Sequence, residues 1–269
     1  MAAAPPQRSR PTTLVKRNRV AAIRERPRRH ASNRHPWISC AALLHCGVHP
    51  DWSFETCLWR AGWSPVAGVD EAGRGALAGP IVAAAVILPH GRHPSRDSKQ
   101  VAPRRRSQLA EQVKRDAVAW GVGFAEAGEI DALGVPAATA LAARRALHTM
   151  TVPPQALVTD YLDLPGPWHV VAPPRADQRS VQAAAASLLA KTTRDAWMVD
   201  VADQRWPGYD FARHKGYGVA GHLAALARHG PCPTHRRRFA PVAQAPLFEP
   251  AVVHAGSSPG RASSARLET

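Results

Sequence analysis

Residues 68–75, with the sequence GVDEAGRG, place two adjacent carboxylates at the end of an apolar run and follow them with an arginine between two glycines. Neighbouring like charges are unfavourable unless a positive group lies between them, and in enzymes that group is often a metal ion. The glycines leave backbone N–H groups accessible and the arginine adds a cation, which suits a phosphate. The octapeptide therefore indicates a metal-dependent enzyme that acts on a phosphate backbone.

The chain is strongly basic. Its 269 residues carry a formal net charge of +15, and residues 1–50 contain ten Lys and Arg against a single acid, Glu25. The remainder is also positive, so the charge predicts a polyanionic partner, with nucleic acid the leading candidate. The sequence has no run of about 20 apolar residues and no apolar signal-peptide core near its start. We therefore expect no membrane association and a cytoplasmic location.

Three regions differ in composition. Residues 1–62 are rich in Arg, Pro and Ala and lack periodicity, which predicts a basic, largely disordered extension. A short ordered piece near residues 50–62 is the alternative, because tryptophans occur there. Residues 63–242 have the pattern of an α/β domain. Residues 243–269 lose periodicity and gain Pro, Gly and Ser, which predicts a disordered tail.

Hydrophobic patterns in the central region predict strands that alternate with helices. We expect strands at 66–70, 81–88, 118–125, 156–160 and 168–172, and helices at 104–116, 136–150, 180–205 and 219–229. Early strands followed by interleaved helices and strands indicate a mixed central sheet flanked by helices, with a helical C-terminal part.

Four acidic residues lie where this architecture brings chain segments together. Asp70 and Glu71 end the first predicted strand, Asp160 ends the fourth, and Asp177 comes shortly before the long helix. Side chains at 70 and 71 start on opposite faces, so we expect the strand to end there and the chain to turn. Ligands of open α/β sheets gather at such an edge, and oxygen ligands select Mg²⁺ or Mn²⁺. Taken singly, Asp177 is equally well explained as a helix cap.

Seven sequence blocks occur in order between residues 65 and 242. They are GVDEAGRG at 68–75, LAGP at 77–80 with the apolar run 81–88, DSK at 97–99, SVQAAAASLLAKTTRD at 180–195, PGY at 207–209, HKGYG at 214–218, and GP at 230–231 with HRRRFAP at 235–241. Together they resemble bacterial ribonuclease HII, the type 2 ribonuclease H. The resemblance implies a ribonuclease H-like fold.

The resemblance also implies an activity. An enzyme of this family is an endonuclease that cleaves the RNA strand of RNA–DNA hybrids. It also nicks duplex DNA at embedded ribonucleotides, as in ribonucleotide excision repair. Two divalent ions, Mg²⁺ or Mn²⁺, would take part, and the products would carry 5′-phosphate and 3′-hydroxyl ends. The family's residues correspond to metal ligands Asp70, Glu71 and Asp160, a fourth catalytic acid Asp177, the junction-reading Gly73, Arg74 and Gly75, a sugar-packing Tyr217, and phosphate contacts Lys99 and Lys191.

The sequence departs from the family pattern at a few positions. Tyr161 stands beside Asp160 where glycine is usual, and Asp210 also replaces a glycine. The change at 161 adjoins an expected metal ligand, so it is the one expected to affect activity. Outside the acidic set, we expect residues 236–238 to follow phosphates, His214 to be structural and Asp195 to pair with an arginine.

Two other functions fit the same core. Ribonuclease HIII shares it but carries an ordered N-terminal substrate-binding domain, whose strand pattern residues 1–62 lack. A noncatalytic nucleic-acid-binding protein with this fold is the other alternative, and the four intact acids argue against it. Nothing in the sequence indicates an oligomer, so we expect a monomer.

Overall fold

The centre of the domain is a five-stranded mixed sheet with strand order β3-β2-β1-β4-β5. The computed structural model describes residues 49–91 and 102–245. The strands are β1 (Val66–Ala72), β2 (Ile81–Ile87), β3 (Ala119–Ala125), β4 (Ala156–Thr159) and β5 (His169–Val171). β1 pairs antiparallel with β2 and parallel with β4. The predicted mixed sheet and its five strands are therefore confirmed.

Helices cover both faces of this sheet. The main ones are α2 (Pro103–Asp116), α3 (Ala127–Leu133), α4 (Val135–His148), α6 (Val181–Trp197) and α9 (Ala220–His229). On one face Ala142 of α4 packs with Val69 and Ile81. On the other face Leu189 of α6 packs with Ala84 and Val86. β2 is therefore buried along its whole length, which is why it is a continuous apolar run.

Shorter helices complete the C-terminal part. They are α5 (Ala176–Arg179), α7 (Asp203–Arg205), α8 (Phe211–His214) and α10 (Ala240–Ala243). A π-helical turn, Met198–Ala202, separates α6 from α7, so the helix predicted over 180–205 is interrupted. Helix α3 is not among the predicted elements. No helix within residues 49–91 and 102–245 is long and apolar enough to cross a membrane.

Ordered structure begins before residue 63. Helix α1 (Ser53–Arg60) lies inside the predicted disordered extension, where the alternative was a short ordered piece. Its Phe54 and Leu58 are buried and pack with Val66, Val158 and Ala183. The helix is thus part of the domain core, because its apolar face covers one end of the sheet. Residues 1–48 and 246–269, which hold most of the extension and of the tail, lie outside the described residues.

Helix α1 also inserts a carboxylate into the core. Glu55 is fully buried, and its Oε1 accepts hydrogen bonds from the Ser180 hydroxyl and, at 3.2 Å, from the Gln182 backbone N–H. Burial raises the pKa of Glu55 from its ordinary 4.5 to about 7. The Ser180 hydroxyl in turn accepts from Ala183 N, so α1 fixes the N-terminal turn of α6.

The raised pKa of Glu55 predicts a pH-dependent stability. Between pH 4.5 and 7 the unfolded chain releases this proton while the folded chain keeps it, so rising pH favours unfolding. The free energy of unfolding of the native protein should fall by up to about 3 kcal/mol relative to Glu55→Gln across this window. Urea denaturation of both proteins at pH 5, 6, 7 and 8 measures the difference. Parallel pH curves would contradict it, and the exposed Glu111→Gln serves as the control.

Candidate active site

The two adjacent carboxylates lie on the central strand of the sheet. β1 continues to Ala72, so the prediction that the strand ends at Asp70 and Glu71 is wrong. Asp70 is buried on the face that α6 covers and is hydrogen-bonded to Ser187 of that helix. Glu71 is half-buried, and its Oε1 accepts a hydrogen bond of 3.1 Å from Arg74.

Asp160 and Asp177 reach the same end of the sheet by two different routes. β4 pairs parallel with β1 in the register Val69 with Thr159, so Asp160 follows beside Asp70. Asp160 Oδ1 accepts a hydrogen bond of 3.2 Å from the backbone N–H of Ala176, the first residue of α5. The next residue, Asp177, is buried with 3% exposure. The contact between Asp160 and α5 therefore joins the two acids.

Electrostatic interactions connect all four carboxylates. Burial, followed by the negative charges of Glu71 and Asp177, raises the pKa of Asp70 well above its ordinary value. Burial also raises the pKa of Glu71, and Asp160 and Asp177 raise it further, while Arg74 lowers it. Each raised pKa means that the negative form is disfavoured by its neighbours. When these buried carboxylates are ionised, they therefore repel one another, and a positive group between them would relieve the repulsion.

The chemistry of this donor set fits a hard divalent cation. Glu71 Oε2 is buried without a hydrogen-bond partner, and a cation would satisfy it while relieving the mutual repulsion. Within the described ranges, however, no three His, Cys, Asp or Glu side chains are already gathered closely enough to hold a metal ion. The four carboxylates therefore fit a divalent cation by their negative charge and their oxygen donors, and not by a ligand geometry that is already assembled.

Residues 73–75, which follow β1 and which we call the glycine loop, rest directly on a buried arginine, Arg194. Gly73 has a φ of +95°, and a Cβ added there would lie 2.0 Å from Arg194 Nε. A Cβ at Gly75, in contrast, would meet nothing within 4 Å, and Arg74 is exposed. Gly73 is therefore required by the fold itself, whereas Gly75 leaves open space at the surface.

A second buried arginine, Arg236, holds the backbone of this loop. Its guanidinium donates to the carbonyl oxygens of Gly73 (2.7 Å), Arg74 (2.8 Å) and Gly79 (2.9 and 3.1 Å). The prediction that residue 236 follows phosphates is wrong, because its side chain is fully buried. Burial, with the charge of Arg194, lowers its pKa to about 9. No sequence signal separated this structural arginine from its exposed neighbours at 237 and 238.

Tyr217 and Lys191 are brought together, whereas Lys99 lies outside the described residues. The Tyr217 ring has Lys191 Nζ 5.6 Å and the Arg194 guanidinium carbon 5.2 Å from its centroid. Arg194 donates to the carbonyl oxygens of Pro80 and Ala78, so it lies below both Gly73 and Tyr217. The predicted sugar-packing residue and the predicted junction-reading loop therefore share one buried support.

Residues 67–242 match the family model described as ribonuclease HII. The chain belongs to the ribonuclease HII family. A ribonuclease HII from Thermus thermophilus is 58% identical over 196 residues, which span 73% of this chain and 96% of that protein. Ribonuclease H2 from Pyrococcus horikoshii superposes with a TM-score of 0.57 at 25% identity and covers 66% of this chain and 95% of that one. A structure of Bst-RNase HIII in complex with Mn²⁺ has a TM-score of 0.52 at 18% identity, covers 79% of this chain and 75% of that one, and supports the fold alone.

Family membership settles several of the sequence predictions. The ribonuclease H-like fold is confirmed, and the chain is a metal-dependent ribonuclease, which is a hydrolase. The family model and the Thermus relative both carry the name ribonuclease HII, which favours this family over ribonuclease HIII. Helix α1 precedes the matched residues, so its contacts with α6 join a helix outside the region of the family model to one inside it.

Two departures from the ribonuclease HII pattern have a common geometry. Tyr161 and Asp210 have φ values of 55° and 59°, in the left-handed region where glycine is the usual residue. The Tyr161 side chain is 77% exposed, so it does not occupy the space between the carboxylates. The tyrosine next to Asp160 therefore introduces backbone strain. It leaves free the space between Asp70, Glu71, Asp160 and Asp177, which we call the acidic cluster.

Two residues have the structural roles that the sequence indicated. His214 Nδ1 accepts from Gly216 N–H, and its Nε2 donates to the Tyr209 carbonyl at 2.7 Å. Asp195 pairs with Lys191 at 2.6 Å and, more loosely, with Arg106 at 3.9 Å. Asp195 is therefore held in an ion pair with Lys191.

Proposed function

We propose that this ribonuclease HII nicks duplex DNA at embedded ribonucleotides as well as cleaving the RNA strand of RNA–DNA hybrids, and leaves 5′-phosphate and 3′-hydroxyl ends. One observation carries the proposal: the acidic cluster continues directly into the glycine loop. Asp70 and Glu71 precede Gly73 on the same chain segment, and Glu71 accepts a hydrogen bond from Arg74. A nucleotide recognised by the loop therefore has its phosphate beside the carboxylates.

In this proposal Asp70, Glu71 and Asp160 hold two divalent ions, and Asp177 is the fourth catalytic acid. The raised pKa of Asp70 and of Glu71, together with the unpartnered Glu71 Oε2, supports the assignment. When bound, Mg²⁺ or Mn²⁺ supplies an activated water and neutralises charge on the leaving 3′ oxygen. Asp160 is held in position by the Ala176 N–H, and Asp70 by Ser187.

Selection of RNA over DNA must depend on the 2′-hydroxyl, since it is the chemical difference at a junction. The open space at Gly75 lets a ribose approach the backbone of residues 73–75 without a side chain between them. Arg236 fixes the carbonyls of Gly73 and Arg74, so the loop is rigid before substrate arrives. Tyr217 supplies a flat apolar surface for the adjoining sugar, and Lys191, with Lys99, contacts phosphates.

The substrates, the oligomeric state and the location of the protein are part of the same proposal. A basic chain of net charge +15 suits hybrid and duplex substrates, and we infer a monomer that acts in the cytoplasm. Removal of ribonucleotides from DNA would begin with such a nick, which connects the enzyme to ribonucleotide excision repair.

The test uses duplex DNA that carries one ribonucleotide. With Mg²⁺ or Mn²⁺ we expect one cut beside the ribonucleotide, with 5′-phosphate and 3′-hydroxyl ends identified by ligation and end labelling. The same duplex with a deoxynucleotide at that position should remain whole, as should the ribonucleotide duplex in EDTA. Cutting of the all-DNA control, or no cutting of the ribonucleotide duplex with either metal, would contradict the proposal.

A further inference from the structure

A chain of hydrogen bonds connects residues 232–235 with the backbone of Tyr217. The Cys232 backbone N–H donates to His235 Nδ1 at 3.1 Å. His235 Nε2 lies 3.0 Å from His222 Nε2, and His222 Nδ1 lies 3.0 Å from the Tyr217 carbonyl oxygen. We call these three contacts the imidazole relay. Both imidazoles are buried, with exposures of 0% for His222 and 2% for His235.

The direction of every hydrogen bond in the relay follows from its two ends. A backbone N–H can only donate, so His235 Nδ1 is an acceptor and the proton of this ring is on Nε2. A carbonyl oxygen can only accept, so His222 carries its proton on Nδ1. The contact between the rings is then a donation from His235 Nε2–H to His222 Nε2. The two histidines must therefore be neutral and in opposite tautomers.

The surroundings of the two rings support the neutral form. Burial lowers the pKa of both His222 and His235 to about 4. Phe211 packs its ring against both imidazoles at 5.5 and 5.7 Å, and His214 stacks on His222 at 4.4 Å. These neighbours fix the planes of the two rings, so the relay has little freedom to reorient.

The relay ends on the chain segment that presents Tyr217. On one side of this residue, the Gly216 carbonyl accepts from the backbone N–H groups of Leu77 and Ala78. On the residue itself, the carbonyl is held by His222, while the ring lies over Arg194. The backbone of residues 216–217 is thus held from the buried side, and the Tyr217 ring rests on the same Arg194 that Gly73 contacts.

We propose that His222 and His235 are positioning residues for substrate selection, which orient Tyr217 toward the sugar at an RNA–DNA junction through the imidazole relay. The inference rests on the proposed function, in which Tyr217 packs on that sugar. Neither histidine is a catalytic residue, because both are buried behind the tyrosine.

The first test is spectroscopic and needs no substrate. Long-range ¹⁵N–¹H correlation spectra of the wild-type protein at pH 7 should show a protonated Nδ1 for His222 and a protonated Nε2 for His235. Assignment of the two rings comes from His222→Asn and His235→Gln. The same tautomer in both rings, or a charged ring, would overturn the relay.

The second test measures selection. We expect His222→Leu to lower the preference for a single embedded ribonucleotide over a uniform RNA–DNA hybrid by at least about tenfold, the size of one hydrogen bond. The loss should appear in kcat more than in KM, because the scissile phosphate is misplaced rather than unbound. His222→Asn keeps a donor at the Nδ1 position and should retain the preference within about threefold.

A control variant and two contradicting results complete the test of His222. His229, on the same helix as His222 but exposed and outside the relay, supplies the control variant His229→Leu, which should match the wild type. An unchanged preference in His222→Leu, or an equal loss in His222→Asn, would overturn the positioning role. If the wild type itself failed to cut at the ribonucleotide, the proposed function would fail while the tautomers still tested the relay.

Discussion

Replacing Asp70 with Asn is expected to reduce the rate of cleavage by at least about 10³-fold while hybrid binding stays within about threefold. The amide has the size of the carboxylate but lacks the charge that binds a divalent ion. The other charges of the basic chain, which favour nucleic-acid binding, are unchanged. Single-turnover cleavage at saturating Mg²⁺, together with equilibrium binding of a labelled hybrid, measures both quantities.

The same substitution should stabilise the metal-free protein. Burial and the charges of Glu71 and Asp177 disfavour ionised Asp70, so a neutral amide at this position should raise the melting temperature at pH 7. The matched control is Glu111→Gln, an exposed carboxylate paired with Lys114, which should change neither activity nor stability. Near-normal turnover of Asp70→Asn would exclude Asp70 as a metal ligand.

Gly73→Ala is expected to produce the second large effect, a loss of cleavage of at least about 100-fold with a destabilisation of about 2–4 kcal/mol. The added methyl group would lie 2.0 Å from Arg194 Nε, and the residue has a φ of +95°. Arg194 would have to move, and with it the support of Tyr217. Thermal unfolding and a cleavage assay on the ribonucleotide duplex measure the two effects.

Variants of two other glycines test whether the effects of Gly73→Ala on stability and cleavage come from the contact with Arg194. Gly75→Ala meets open space, so its melting temperature should equal that of the wild type. Gly128→Ala, on α3 and also in open space, should leave cleavage unchanged and should not lower the melting temperature, because alanine favours a helix more than glycine does. Equal stability of the Gly73→Ala and Gly75→Ala variants would show that the Arg194 contact does not constrain the loop.

The sequence predicted the sheet well because each strand rests on a local pattern. The buried run at β2 and the alternation at β3 are visible in about eight residues, and the strands follow within one or two positions. The position of Asp160 at a strand end and of Asp177 before the long helix predicted that both approach Asp70 and Glu71, and the family resemblance then suggested their roles. The structure adds how Asp160 is linked to α5.

What the sequence missed depends on contacts between distant segments. Arg236 is one of three consecutive arginines, and only the fold shows that it alone turns inward to the loop 157–163 residues earlier. Helix α1 was foreseen only as an alternative, a short ordered piece, because its Arg-rich neighbourhood outweighed apolar positions such as Phe54 and Leu58. The end of β1 was predicted too early, because the pairing of Ala72 with Val82 extends the strand.

The parallel pairing of β1 with β4 governs when this enzyme becomes competent during folding. β1, β2 and β3 are near neighbours in the chain, whereas Val69 meets Thr159 only after a loop of about 90 residues has closed. Such long-range contacts form late, because their entropic cost comes before their reward. The carboxylates of the two strands therefore remain apart in a half-folded chain. Nuclease activity should therefore appear only once β4 has paired with β1, rather than grow in proportion to the structure formed.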